Sequence, residues 1–105
     1  MDVIAEHRLV ATFPDGELVP VVLRVGRPYA HPKGDHACPV QAEGLRLWDG
    51  PSDIFGVGTW HALMLGLRFL RSMLATEAER GAVFHWEGAE HAVSVEELFV
   101  LGPIE

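Results

Sequence analysis

A chain of 105 residues, 49% apolar and 22% charged, has the size and composition of one ordinary domain and is too apolar to be disordered. Its formal charge of −7 repels phosphate backbones and argues against nucleic acid as a partner. No stretch is apolar for long enough to cross a bilayer, so no membrane is expected.

The opening Met1-Asp2-Val3-Ile4-Ala5-Glu6 has neither the basic start nor the apolar run of a signal peptide. With the lone Cys38, this points to the cytoplasm. Val3 to Phe13 is rich in strand-forming residues, Pro14-Asp15-Gly16 is a turn signal, and Leu18 to Val25 is a β-branched run. Together they predict a β-hairpin, with Pro20 at an edge or an outward-facing amide. His7, between Glu6 and Arg8, is expected on a solvent face. Gly26 to His36 reads as a loop, Cys38 to Leu45 as a third strand, and Leu45 to Trp48 as its continuation or a further strand. Asp49-Gly50-Pro51-Ser52 marks a turn, and Ile54-Phe55-Gly56 a last strand leading into a helix.

That helix is predicted from Thr59, as N-cap, to Arg80, with Gly81 ending it in a left-handed cap. Val83 to Trp86 then reads as a short strand, and Ser94-Val95-Glu96-Glu97 as a capping box opening a final helical turn. The fold class is α+β: a single domain of four to five antiparallel strands with one long helix packed on one face.

On a helical wheel, Trp60, Leu63, Leu67, Leu70 and Leu74 form one apolar stripe. Leu65, Phe69 and Met73 form a second on nearly the opposite side, leaving His61, Arg68, Ser72 and Glu79 in a narrow polar wedge. The apolar arc spans about 260°, where a helix resting on one sheet needs little more than about 100°. Leu65, Phe69 and Met73 are therefore the candidate interaction surface. Two covers are open: a second chain, or the C-terminal residues Val83, Phe84, Trp86, Val93, Val95, Leu98, Phe99 and Leu101.

From Glu77 onward, seven acids (Glu77, Glu79, Glu87, Glu90, Glu96, Glu97 and Glu105) face Arg80 alone. This field suits solubility or a basic protein partner, as in an acidic immunity-type inhibitor of a toxin. His31, Asp35, His36 and Cys38 are all metal-ligand types within eight residues. Their spacing matches no strong motif, so they are weak metal candidates, and Cys38 reads equally as a small buried hydrophobe. His61, Arg68 and Ser72 share a face that suits an anion or an ordinary solvated stripe. His85, Glu90 and His91 cluster in a polar turn. No catalytic set, phosphate loop or nucleophile elbow stands out, and no cofactor is expected.

Three local patterns resemble a family of small bacterial domains of unknown function. They are Ile4-Ala5-Glu6-His7-Arg8; Gly34-Asp35-His36-Ala37-Cys38-Pro39-Val40-Gln41 with Gly44-Leu45; and Ile54-Phe55-Gly56-Val57 followed by Ala62-Leu63 and then Leu65 and Leu67. The resemblance implies a curved antiparallel sheet crossed by a long helix and carries no catalytic residues to transfer. Gly58 stands where such relatives have a better cap, and His61 where Gln is usual. The functional expectation is a non-catalytic protein-interaction module, homodimeric or bound to another protein. The alternatives are the acidic inhibitor and a small enzyme or metal protein built on His31, Asp35, His36 and Cys38.

Overall fold

The computed structural model describes residues 1–99, so Leu101 and Glu105 lie outside the described residues. The element order is β1 (Val3–Thr12), β2 (Leu18–Gly26), β3 (Tyr29–Ala30), β4 (His36–Glu43), β5 (Ser52–Gly56), α1 (Thr59–Glu79), β6 (Val83–Trp86), β7 (Ala92–Val93) and α2 (Val95–Phe99). All pairings are antiparallel. The seven-stranded sheet runs β3-β4-β2-β1-β6-β7, with β5 also on β4. The fold is α+β, as the sequence predicts, with β3 and β7 added to the expected strands.

The β1–β2 hairpin turns where Gly16 adopts φ +87° and the Asp15 carboxylate accepts the Glu17 N–H at 3.0 Å. That bond and the Arg46 guanidinium hold the Asp15 carboxyl below its usual range. Pro20 pairs with Val10 but precedes the β2–β4 ladder, which begins at Val22, so β4 asks no hydrogen bond of it. The expected loop before β4 holds the two-residue β3. The chain after β4 is not a strand: it turns at Gly44 and runs irregularly through Leu45–Trp48.

Helix α1 ends as predicted, with Arg80 as C-cap and Gly81 at φ +102°. Its start differs. The N-cap is Gly58, without a side-chain cap bond, and Thr59 is already helical. His61 instead fixes the entry to the helix, its Nδ1 accepting the N–H of Val57, the residue before the N-cap, at 2.9 Å. The serine half of the predicted box forms: Ser94 Oγ accepts the Glu97 N–H at 3.2 Å, and the Glu97 carboxylate turns back to accept from the Ser94 hydroxyl at 3.1 Å.

The two apolar stripes of α1 do not face opposite ways in space. The buried residues Ala62, Gly66, Leu70, Leu74 and Glu77 mark the line that meets the sheet; Leu70 and Leu74 of the first stripe lie on it, with Leu63 and Leu67 to one side and the second stripe to the other. A methyl group on Gly66 would lie 3.0 Å from Cys38 Sγ and 3.1 Å from Val40 Cγ1, and one on Gly56 would lie 2.5 Å from the Ala62 backbone nitrogen. This close approach lets side chains on both flanks reach the core, Leu63 and Leu67 on one side, Phe69 and Met73 on the other. Trp48, from the β4–β5 connection, meets Phe69 edge-on at 4.9 Å. The cover over Phe69 is thus Trp48, where the C-terminal segment or a second chain is expected. Val95, Leu98 and Phe99 join the same core.

Glu77 is also placed differently. It is 2% exposed, and its carboxylate accepts the backbone N–H groups of Arg46 at 2.5 Å and Leu47 at 3.3 Å. It ties the end of α1 to the irregular connection and is no part of a surface acidic field. Hydrogen bonds to a carboxylate are worth about 1.5–3 kcal/mol each, so this tie is a strong one.

The glycines give a graded test. Gly66→Ala meets side chains that can yield and gains helix propensity, so it should change stability by less than about 1 kcal/mol. Gly56→Ala meets backbone and should cost about 1–3 kcal/mol. Urea unfolding of the two variants checks the order.

Candidate functional site

The predicted metal candidates do not converge. Cys38 is buried beneath α1, its thiol directed at the Gly26 carbonyl at 3.6 Å, and burial pushes its pKa up. A buried, protonated thiol of this kind behaves as a small hydrophobe. His36 Nδ1 lies 3.3 Å from the Val57 carbonyl. His31 Nδ1 accepts the Lys33 N–H at 3.2 Å, and the His31 ring meets Phe55 edge-on at 5.1 Å. Asp35 is exposed, and its backbone carbonyl accepts the His31 N–H. Among the described residues, no three His, Cys, Asp or Glu side chains come close enough to share an ion.

His36 and His61 instead bracket Val57 and fix the turn from β5 into α1. The His61–Arg68–Ser72 face is thereby divided, with His61 turned back to this turn. On the sheet face away from α1, Tyr29, Ala37 and Phe55 lie in register across β3, β4 and β5, which closes solvent off from Ala37. The Tyr29 hydroxyl donates to Asp53 at 2.8 Å, which raises the Tyr29 pKa. Farther along this face, Glu6, Arg24 and Gln41 form a polar row, with Arg24 bonded to Glu6 at 3.0 Å and to Gln41 at 3.2 Å. These groups tie strands together.

The other side of the sheet is different. Helix α1 lies mainly over β4 and β5. Toward β1 it leaves an open groove of about 520 Å³. Ala5 and His7 of β1 and Leu23 and Val25 of β2 form the floor, Met64, Leu67 and Leu70 of α1 one wall, and Leu98 and Phe99 of α2 the other. Arg68 and Arg71 stand on the helix rim, exposed. A largely apolar concavity with a few polar groups is the usual form of a binding site.

Two further features converge there. His7 is half-buried against Trp86, ring centroids 4.5 Å apart, not on a solvent face as expected; its Nε2 is buried with no hydrogen-bond partner among the described residues. Strand β1 also has an open edge. Its Leu9–Thr12 half pairs with β6, but among the described residues Val3–Arg8 pairs only with β2. The open half of the edge borders the groove at Ala5–His7.

Sequence reasoning missed this groove. Alternation carried the signal that His7 shares a face with Leu9 and Ala11, but flanking charges at Glu6 and Arg8 masked it.

His7→Phe keeps the edge contact with Trp86 and removes the orphaned nitrogen. Its unfolding midpoint should match or exceed the parent's, by up to about 1 kcal/mol. A loss above about 1 kcal/mol in chemical denaturation would instead show that the imidazole is bonded inside the protein.

Residues 5–95 match a domain of unknown function, DUF6968, and the chain belongs to that family. The match agrees with the resemblance noted in the sequence. No curated protein and no solved structure matches it significantly.

Proposed function

We propose, for a family whose description assigns no activity, that this chain is a non-catalytic protein-interaction domain of the cytoplasm that binds an extended segment of a partner. The observation that carries the reading is the meeting of an open strand edge, Val3–Arg8, with an apolar groove of about 520 Å³. A segment lying along β1 in line with β6 satisfies the unpaired backbone of the edge. Its alternate side chains then drop beside Ala5 and His7 toward Met64 and Leu67. Main-chain bonds supply affinity and the groove supplies selection, as in other cases of strand addition.

The same reading accounts for His7. A buried polar atom left alone is costly, and a bound segment offers it a partner. It also differs from the homodimer expected through Leu65, Phe69 and Met73. All three are at least half-buried, and Phe69 and Met73 already contact the core.

A phage-displayed library of random decapeptides, selected on the full chain, tests the reading. Selected peptides should shift the backbone amide resonances of Ala5, His7, Leu23 and Leu67. Met64→Glu, which alters an exposed groove residue, should weaken them about ten-fold or more. Failure to select any peptide, or shifts confined to the opposite sheet face, would refute it.

A further inference from the structure

We infer that the segment held in this groove carries an acidic side chain, taken by Arg68 and Arg71; the inference rests on the strand-binding reading above.

The chain has only eight Lys and Arg residues against fifteen acids, so cations are scarce. Six ion pairs occur among the described residues, and they engage Arg8, Arg24, Arg27 and Arg46. Neither Arg68 nor Arg71 takes part in any of them. The two arginines are three residues apart on α1, which makes them surface neighbours, and like charges at that spacing destabilise a helix.

Glu6, the one acid among the residues bordering the groove, has its carboxylate on the opposite sheet face, engaged by Arg24 at 3.0 Å and Arg8 at 3.3 Å. Glu77, on the same helix, is buried against the Arg46 and Leu47 amides. The Glu97 carboxylate accepts from Ser94. The groove therefore combines apolar walls with two guanidinium groups on one rim that have no acidic partner among the described residues, although the whole chain is acidic. Guanidinium forks match carboxylates in planar, paired hydrogen bonds, so the complementary ligand is an apolar extended peptide with an Asp or Glu at the rim. A basic segment, the partner suited to an acidic inhibitor, would meet repulsion here.

The decapeptides selected on the full chain are the probe. Asp or Glu should be enriched at one position. Its replacement by Asn or Gln should weaken binding about ten-fold at low salt, with a smaller ratio at high salt. In the Arg68→Gln/Arg71→Gln variant the acidic and amide peptides should bind alike. Both arginines are exposed, so the fold should survive, and the apolar part of the affinity should persist.

Peptides that bind the groove without acidic enrichment, or that keep their preference in the double variant, would overturn this inference while leaving the strand-binding reading standing. Absence of any groove-binding peptide would overturn both. Two other occupants have their own signatures, and either overturns a foreign acidic partner. Binding seen only when the full chain carries Leu101→Asp and Ile104→Asp would make residues 100–105 the occupant. Self-association that competes with peptide would make a second copy the occupant.

Discussion

Helix α1 approaches this sheet closely because three residues at the crossing, Gly56, Ala62 and Gly66, are small enough to let Gly66 rest on Cys38 and Val40 and the Ala62 backbone rest on Gly56. A methyl group on Gly56 would collide with the backbone at Ala62, and one on Gly66 would press on Cys38 and Val40. Burial per side chain is worth roughly 1.5–3 kcal/mol, so a helix that sinks until both flanks touch apolar surface gains several such contributions. The cost is that the sheet must be flanked as well as covered. Trp48 does this on one side and α2 on the other.

The same docking explains the groove. A helix held this close over β4 and β5 cannot also cover the far end of β1 and β2. Strand β6 is four residues long and stops opposite Leu9, and α2 reaches the region only with Leu98 and Phe99. The concavity and the open strand edge therefore share one cause. The irregular pairing between Val3 and Ala5, with charged Glu6 and Arg8 beside it, guards that edge against indiscriminate pairing.

Much of the architecture was legible in local chemistry. Pro14-Asp15-Gly16, Gly81 and the Ser94–Glu97 box each carry their own backbone reason and stand where the sequence puts them. What local chemistry does not contain is which distant segments meet. The wheel gives the width of the apolar arc on α1, but not that Ala62 and Gly66 lie at its centre as a contact line. Nothing near Glu77 reveals that its carboxylate turns inward to the Arg46 and Leu47 amides. The metal candidates fail for a related reason: His36 and Cys38 share a face of β4, but distant segments claim each separately, the Val57 carbonyl facing His36 and the Gly26 carbonyl and α1 enclosing Cys38. The groove itself is a product of three elements far apart in the chain.

Amide hydrogen exchange along β1 in the free 105-residue chain tests the central claim most directly. Within Val3–Arg8, the amides bonded to β2 should be protected while the alternate, outward ones exchange orders of magnitude faster; Leu9–Thr12, flanked by β2 and β6, should be protected throughout. Uniform protection from Val3 to Thr12 would mean the edge is already paired, and the open groove on which the account stands would not exist.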